Sequence, residues 1–509
     1  MLIASFAVLQ WLRWREPLGL DESLFALYGH WMTRGLRLYR DLWDSKPPGI
    51  FALFGAADRF VGMVHSAALL DALAAAASAI LAYRLLLPAG GGAAWAGAVL
   101  AAFLPSAPAF GGPTAAAQAE LLMAPLLLSA ALVARRPGAR AALCAGLLLG
   151  AATTLKLVAV ALLPLPWLFA SPSDRRSLVR AVMILCGFLA VPAACAALLA
   201  AQGTLHEAVP AVVLYPRAYA AETASRLSFG HALLLASTRF GSGLPFVLLL
   251  SAAGVVPRAS FGLAWRALVW LGLALAVAGQ QRQIAGYHLQ LMLPPICILG
   301  GLGAASLWKW LQSMRRPGEA SDPRGLAMLA GLTLVLGIAA SLEGRHWVRR
   351  YAVHLEHAAG RIGTDEFLQR LGGPGPRWLE ARSLAAQARL LVRPGDELLV
   401  WGLAPAVYVQ LGCRPATRYA FHQTLLVEGS PLSRRWPDAG QRRAALLESL
   451  RRSPPRGVVI VRGDASGLEP TDSATELQQF PELARLLETE YRQQASTRSY
   501  TLLVRQHED

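Results

Sequence analysis

The chain alternates long apolar runs with short polar segments from its N-terminus to about residue 343. Runs of about 20 apolar residues can cross a hydrocarbon core of about 30 Å as α-helices. The pattern therefore predicts a polytopic α-helical membrane protein with about 11 membrane segments. We place these segments at residues 1–14, 66–87, 93–110, 116–134, 141–156, 157–170, 178–201, 232–256, 262–279, 288–308 and 325–343.

The fifth and sixth segments are each too short to cross the bilayer separately. We predict a helix that breaks near Lys156 and returns, since such breaks are tolerated only where protein or water surrounds the freed backbone groups.

The pattern changes after Glu343, where charged residues become frequent and no apolar run reaches spanning length. We predict two regions, a transmembrane domain over 1–343 and a C-terminal α/β domain over 344–509. In the second, glycine-bounded apolar runs predict strands, and two intervening segments have helical periodicity. The predicted strands are 395–402, 456–463 and 499–506, and the helical segments are 404–412 and 441–452.

The charges orient the predicted segments. Of the 509 residues, 55% are hydrophobic and 16% charged, and the net charge of +16 divides into +11 (25 basic minus 14 acidic) for 1–343 and +5 (23 minus 18) for 344–509. One set of alternate loops carries 13 basic residues, whereas the opposite short loops carry only Arg282. Basic loops stay in the cytoplasm. The 15–65 loop, the 202–231 loop and the C-terminal domain are then extracytoplasmic.

Two classes of site lack support in the composition. Nucleic-acid binding would need a clustered basic face with stacking aromatic groups, and the sequence has none. The five cysteines, four of them in apolar segments, indicate neither a disulfide framework nor a thiolate metal site.

The first outer loop, 15–65, contains the helical pattern DESLFALYGHWMTRG, which runs from Asp21 to Gly35. Its apolar face predicts an amphipathic helix on the outer membrane surface. We place Asp21 at the N-cap and Glu22 in the first turn. Either these acids only cap the helix and complement its dipole, or they perform chemistry.

Lysine usage favours chemistry near this loop. The 48 basic residues include only three lysines. Lys46, in WDSKPPGIF, and Lys156 both fall at the predicted outer face in apolar surroundings. A lysine ammonium suits a phosphate group where the dielectric constant is low. The alternative is that each lysine snorkels to the interface.

Other polar side chains gather at the same predicted face, which holds ten of the 14 acidic residues of the membrane region. Only Asp71 lies well inside a segment; we expect a structural hydrogen-bonding role, with intramembrane function as the alternative. We predict that the other polar groups surround one outward-facing cavity. They are Asp21, Glu22, Asp44, Lys46, Gln118, Glu120, Lys156, Tyr215, Arg217, Tyr219, Arg282, Tyr287 and His288.

These motifs together resemble the membrane glycosyltransferases of the glycosyltransferase-C superfold. The similar pieces cover nearly the whole chain in the expected order: the DE pair, LYRDLWDSKPPGIF, QAE, GLLLGAATTLK, YHLQLMLPP and VWGLAPAVYVQLGCRPATRY. The nearest likeness is to bacterial protein O-mannosyltransferases and lipid A aminoarabinose transferases. The first membrane segment is shorter than the family pattern.

The resemblance implies inverting transfer of a sugar from a polyprenyl-phosphate donor to an acceptor hydroxyl, at the outer face of the bacterial cytoplasmic membrane. It implies that Asp21 is the catalytic base or acceptor-orienting group, that Glu22 completes the acidic pair and that Lys46 contacts the donor phosphate. Glu120 matches a second acidic position of the family. Lys156 and His288 match recurrent polar positions, and the basic groups that would stabilise the leaving phosphate also include Arg217 and Arg282.

The expected partners are the donor, membrane lipids and a lipid, glycan or protein acceptor, with no nucleic acid. A monophosphate leaving group can be served by cationic side chains, so no metal is required, although the carboxylates could recruit a divalent cation. Two other classes of function stay open: a transporter and a non-catalytic lipid-binding scaffold. A transporter would keep its polar groups near the midplane and usually show repeated halves, whereas here the acids lie at one face.

Overall fold

The structure is a computed structural model that describes residues 2–110, 116–171, 178–255, 261–282, 285–313, 323–420, 426, 438–465 and 471–506, without the side chains of 323–330 and 332. Parts of three predicted cytoplasmic loops, 172–177, 256–260 and 314–322, lie outside the described residues.

The chain is mostly helical, and most helices up to residue 358 overlap the predicted segments, although some lie in the predicted outer loops and the last continues past residue 343. They are α1 Leu2–Arg13, α2 Leu20–Met32, α3 Pro48–Val61, α4 Ser66–Leu86, α5 Gly91–Phe103, α6 Ala119–Ala134, α7 Ala139–Thr153, α8 Leu165–Phe169, α9 Leu178–Ala201, α10 Leu205–Val209, α11 Tyr215–Arg226, α12 Phe229–Gly243, α13 Pro245–Ala253, α14 Phe261–Gln280, α15 Leu293–Ser313 and α16 Pro323–Ala358. Short 3-10 turns include Leu157–Leu162 and Gly286–Met292.

Four helical stretches of the described residues are long and apolar enough to span a membrane: Met63–Ala89, Leu178–Ala201, Phe261–Gln280 and Gly286–Ser313. A fifth results if α12 and α13, bent by 96°, form one broken span. Shorter apolar helices occupy other predicted segments. The chain is thus a multi-pass helical membrane protein, and the count of about 11 segments stays a prediction.

The helix break near Lys156 is present. Helix α7 ends at Thr153, Lys156 is extended (φ −158°, ψ 132°), and the 3-10 turn Leu157–Leu162 follows. The extended residue ends the helical hydrogen-bond ladder, so the two short segments are separate elements.

Contacts divide the chain into two compact units. The first unit contains Met1–Trp14, Leu70–Ala194 and Leu227–Arg361, and the second contains Arg15–Leu69, Cys195–Arg226 and Ile362–Asp509. The second unit therefore joins the first outer loop, the 202–226 segment and the C-terminal region in one body. The predicted domain boundary at 343/344 falls within the continuous helix α16, and that division stays a prediction.

The first unit contains a buried ion pair. The guanidinium of Arg13, at the end of α1, pairs with the carboxylate of Asp71 in α4, and both side chains are at most 3% exposed. Arg13 also donates to Ser106, at 2.9 Å, and the backbone amide of Ala117 donates to Asp71 at 3.3 Å. This geometry agrees with the structural role expected for Asp71.

The second unit brings α2 and α3 together at two glycines. A Cβ atom added to Gly29 would lie 2.4 Å from the backbone nitrogen of Gly55 and 2.8 Å from the carbonyl oxygen of Phe51. The two backbones thus touch, which only residues without a side chain allow at this crossing. The indole of Trp31 in α2 donates to the carbonyl of Cys413, at 3.2 Å, so α2 also packs on the C-terminal region.

The C-terminal part of this unit is an α/β sheet domain. Its elements are α17 Thr364–Leu371, α18 Gly375–Ala388, β1 Glu397–Trp401, α19 Pro405–Leu411, β2 Arg414–Pro415, α20 Ala439–Arg452, β3 Gly457–Val461, α21 Ser473–Leu477, α22 Pro481–Glu490, β4 Tyr491–Ser496 and β5 Tyr500–Arg505. The strand order is β2-β1-β3-β5-β4. Strands β2, β1 and β3 are parallel, and β5 pairs antiparallel with β3 and β4.

The predicted strands β1, β3 and β5 and helices α19 and α20 are all present, but the sequence did not indicate β4. Its sequence, YRQQAS, is mostly exposed, because β4 is an edge strand. A register shift between Gln493 and Ala495 also interrupts the alternation of apolar and polar residues on which a strand prediction depends.

Candidate active site

Asp21 lies beside Lys46 at the start of α2. The helix begins at Leu20 with Gly19 as its N-cap, in extended conformation (φ −72°, ψ −172°). The predicted N-cap position of Asp21 is therefore wrong: the N-cap lies two residues earlier, at Gly19, which leaves the carboxylate of Asp21 available to another group. Its Oδ1 lies 3.6 Å from the Nζ of Lys46. Glu22, the next residue, is buried.

The two prolines place Lys46 directly before helix α3. Pro47 is extended (φ −62°, ψ 161°) as the N-cap, and Pro48 is the first helical residue, where its missing N–H costs no hydrogen bond. The lysine ammonium lies 4.9 Å from the centroid of the Phe25 ring. The side chains of Lys46 and Asp21 are 22% and 21% exposed, so a ligand can reach both.

Asp44 organises the backbone before Lys46. Its side chain is buried, and its Oδ1 accepts a hydrogen bond from the backbone amide of Lys46 at 2.8 Å. This local turn is typical of aspartate two residues before its donor. In this structure Asp44 therefore shapes the segment that carries the lysine.

Tyr219, on α11, lies close to the same pair. Burial and then the Asp21 carboxylate raise the pKa of Tyr219 to about 12, while Lys46 acts in the opposite direction. The phenol consequently stays neutral at physiological pH. Its neighbour Tyr215 is buried, with its ring 5.1 Å from that of Trp43. Arg217 is exposed on α11 and makes no hydrogen bond or ion pair with any residue that the structure describes.

A second group of predicted residues meets in the first unit. The Nζ of Lys156 lies 2.5 Å from Oε1 of Glu120 and 5.6 Å from the centroid of the Tyr287 ring. Glu120 is 1% exposed, and its Oε2 has no hydrogen-bond partner among the described residues. The rings of Tyr287 and His288 are in edge contact at 4.5 Å, and Nδ1 of His288 accepts a hydrogen bond from the amide of Ala285.

Two further predicted residues, Gln118 and Arg282, also belong to this unit. Gln118 is buried at the N-cap position of α6. Arg282 follows α14 with a left-handed backbone (φ 58°), donates to the carbonyl of Leu227 at 2.8 Å and lies over the Phe229 ring. The structure therefore brings the predicted residues together as two groups, one in each unit. A single cavity around them stays a prediction.

Among the described residues, no group of three or more histidine, cysteine, aspartate or glutamate side chains has the arrangement of a metal site. The carboxylate groups of the two sites are instead close to ammonium groups: Asp21 to Lys46 and Glu120 to Lys156. The metal requirement stays untested.

Three residues around Lys46 were missed by sequence reasoning. Tyr28 donates to the carbonyl of Trp43, and Tyr39 donates to the carbonyl of Lys46, both at 2.9 Å. Arg418, in the C-terminal region, donates to the carbonyl of Tyr39. The tyrosines have no motif around them, and Arg418 is 379 residues from its partner, so no local pattern could reveal these contacts.

Comparison with known proteins identifies the fold. No protein-family model and no curated protein matches the sequence. Among solved structures, ArnT from Cupriavidus metallidurans bound to undecaprenyl phosphate is similar, with a TM-score of 0.55 and 15% identity over 98% of this chain and 97% of that chain.

Two structures of oligosaccharyltransferases from Archaeoglobus fulgidus are more distant. AglB, in complex with an inhibitory peptide and a dolichol-phosphate, has a TM-score of 0.45 and 12% identity over 90% of this chain and 69% of that chain. The apo oligosaccharyltransferase has a TM-score of 0.46 and 13% identity, over 91% and 69%. The similarity to ArnT extends over nearly the full length of both chains. This protein therefore has the glycosyltransferase-C fold that its sequence motifs predicted.

Proposed function

We propose that this protein is an inverting membrane glycosyltransferase that moves a sugar from a polyprenyl-phosphate donor to an acceptor hydroxyl. The observation that carries the proposal is the pair of Asp21 and Lys46, a carboxylate and an ammonium 3.6 Å apart and both accessible. The shared fold supports the donor class, because the ArnT structure was solved with undecaprenyl phosphate bound.

In the proposed reaction, Asp21 takes the proton from the acceptor hydroxyl while the acceptor oxygen attacks the anomeric carbon. The new C–O bond forms on the face opposite the phosphate, and the bond between the anomeric carbon and the phosphate oxygen breaks. Its electron pair leaves with the polyprenyl phosphate. Lys46 stabilises the negative charge that develops on this leaving group, as a preorganised cation does for any oxyanion.

The direct pairing of Asp21 with Lys46 has a consequence for this reaction. A donor phosphate that binds Lys46 would replace the Asp21 carboxylate as the partner of the ammonium. The carboxylate oxygen could then accept a hydrogen bond from the acceptor hydroxyl, so the donor is expected to bind before the acceptor reacts.

We also propose Lys156 and Arg282 as donor-phosphate contacts, as the family resemblance implies. The buried Glu120 would orient the ammonium of Lys156. Glu22, Asp44, Gln118, Arg217, Tyr287 and His288 complete the proposed site as supporting residues. Catalysis by these side chains needs no metal, although a divalent cation is compatible with the carboxylates.

The proposed location is the outer face of a bacterial cytoplasmic membrane, with residues 344–509 extracytoplasmic. The excess of basic residues in one set of alternate loops supports this orientation. The acceptor would be a lipid, glycan or protein hydroxyl on that side of the membrane.

The proposal is tested by sugar transfer in purified protein. The wild type, Asp21→Asn and Lys46→Ala are reconstituted in lipid nanodiscs with a panel of polyprenyl-phosphate hexoses and pentoses, labelled in the sugar, and with cell-envelope acceptors. Loss of a general base typically lowers kcat by about 10²–10⁴-fold. Loss of one charge-stabilising group lowers it by about 10²–10³-fold. We expect decreases of these sizes in the two variants.

Matched controls are Asp365→Asn and Lys309→Ala, which change the same residue types outside both groups. Both controls should keep wild-type activity. Full activity of Asp21→Asn and Lys46→Ala would contradict the site assignment. Absence of transfer by the wild type with every donor would favour the transporter or the lipid-binding scaffold.

A further inference from the structure

Lys46 is carried by a tightly bonded turn, residues 39–46, which we term the lysine loop. Tyr39 opens it in the left-handed region (φ 70°), and its amide donates to the carbonyl of Leu42 at 2.7 Å. A bulky side chain rarely adopts this conformation, so surrounding contacts must hold it. The phenol of Tyr39 then bonds the other end of the loop, at the carbonyl of Lys46.

Both tyrosines that bond the loop stay protonated. Tyr28 and Tyr39 are fully buried. Burial, followed by the nearby Asp44 carboxylate, raises the pKa of each phenol well above its usual value. Each hydroxyl therefore remains a donor at every physiological pH. The hydrogen bonds from Tyr28 to the carbonyl of Trp43 and from Tyr39 to the carbonyl of Lys46 are thus kept.

The lysine loop is also hydrogen-bonded to Arg418 of the C-terminal region, which belongs to the same compact unit. The amide of Trp43 donates to the carbonyl of Arg418 at 2.8 Å, and the guanidinium of Arg418 donates back to the carbonyl of Tyr39. The guanidinium also lies 5.6 Å from the centroid of the Tyr419 ring. One residue thus bonds two points of the loop while its own side chain is oriented by an aromatic face.

We propose that Arg418 is a positioning residue for Lys46: by bonding Tyr39 and Trp43 it fixes the lysine loop and sets where the lysine ammonium lies. The inference rests on the proposed function, because the reason to fix the ammonium is to present it to a donor phosphate. It assigns the C-terminal α/β region a part in donor recognition, through one arginine that makes one backbone and one side-chain hydrogen bond to the loop.

Lysine reactivity tests this proposal without depending on turnover. The chain has only three lysines, so limited acetylation of the full-length protein in detergent, followed by mass spectrometry, reports each one separately. Arg418→Ala removes the side-chain bond to the carbonyl of Tyr39 and keeps the backbone bond to Trp43, so the loop is less restrained and Lys46 spends less time beside Asp21. We expect its acetylation rate to rise severalfold relative to Lys309, the internal standard. Arg418→Lys, which can still donate to Tyr39, should restore part of the protection.

The matched control is Arg414→Ala, which removes an arginine of the same segment whose ion-pair partner is Glu397, at 3.7 Å. It should leave the Lys46 rate unchanged. If Arg418→Ala does not fold, Tyr39→Phe removes only the hydroxyl that bonds Lys46 and should raise the rate by a smaller factor. An unchanged Lys46 rate in the folded variants would overturn the proposal.

Donor kinetics provide the second readout. We expect Arg418→Ala to raise the donor KM about tenfold while the acceptor KM stays constant, and to have less than a twofold effect when Lys46 is already alanine, because the two residues act as a unit. If Arg418→Ala raises the donor KM by the same factor in the wild type and in Lys46→Ala, the two residues act independently and the proposal is overturned. If Lys46 reactivity rises as expected but the wild type transfers no sugar, the proposed function fails and the positioning role of Arg418 stands.

Discussion

At the scale of single residues, Glu120 and Lys156 form a partly buried pair whose two members depend on each other. Glu120 is 1% exposed and Lys156 19%, with 2.5 Å between the charged atoms. Removal of one member of such a pair leaves an uncompensated charge, which typically costs about 3–5 kcal/mol, whereas replacement of both members costs much less.

We therefore expect Lys156→Met to lower the free energy of unfolding by about 3–5 kcal/mol. The double variant Glu120→Gln with Lys156→Met should recover most of that loss yet remain impaired in transfer. Unfolding in detergent, followed by tryptophan fluorescence, measures the first effect. Arg370→Met, which breaks an exposed helical pair with Glu366, is the control and should cost less than about 1 kcal/mol. A double variant no more stable than Lys156→Met would contradict this account.

Around Lys46, local sequence features were predictable, whereas contacts between residues far apart in the chain were not. The scarcity of lysine was visible in the sequence, and it favoured Lys46 as a phosphate contact at the outer face. The contact with Asp21 depends on how α2 and α3 pack, and that of Arg418 with Tyr39 joins residues 379 apart. Contacts at such separations follow from the tertiary fold, which one sequence without homologues does not specify.

At the scale of elements, the crossing of α2 and α3 sets the distance between the two proposed catalytic groups. Asp21 lies in the first turn of α2, and Lys46 lies two residues before α3. The backbones touch at Gly29 and Gly55, where an added Cβ would be 2.4 Å from a backbone nitrogen. Anything that separates these helices should also separate the carboxylate from the ammonium.

Gly29→Ala tests whether the helix crossing controls the distance between Asp21 and Lys46. The direction of its effect on stability distinguishes a tight crossing from an open helical position. Alanine in an open helical position is more favourable than glycine by about 1 kcal/mol. At Gly29 the methyl group instead meets backbone atoms, so we expect lower thermal stability and at least a tenfold loss of transfer. Gly272→Ala, in α14 with no atom within 4 Å of the new Cβ, is the control and should be neutral or stabilising. Equal behaviour of the two variants would contradict the tight crossing.

Helix and strand positions were largely predictable, because apolar length and glycine boundaries are local properties. The break at Lys156 followed from segment length alone. The N-cap of α2 was misplaced by two residues, since Gly19 has no side chain to indicate an N-cap. Strand β4 was missed because an exposed edge strand has little hydrophobic pattern.

At the scale of the whole molecule, the second compact unit gathers three separate parts of the sequence, Arg15–Leu69, Cys195–Arg226 and Ile362–Asp509. They include most of the two long predicted outer loops, 15–65 and 202–231, and the C-terminal region. The proposed catalytic pair and its positioning arginine all belong to this unit. Donor recognition is therefore expected to depend on the folded C-terminal region, even though that region contains neither Asp21 nor Lys46.

In the proposed mechanism Lys46 holds the donor phosphate while Asp21 acts on the acceptor. Binding of polyprenyl phosphate alone, without sugar or acceptor, is measured in nanodiscs that contain the wild type, Lys46→Ala or Asp21→Asn. We expect at least tenfold weaker binding by Lys46→Ala. Asp21→Asn should bind equally or more tightly, because the carboxylate no longer competes for the ammonium. Unchanged affinity in Lys46→Ala, or weaker binding by Asp21→Asn, would show that Lys46 does not hold the phosphate in this way.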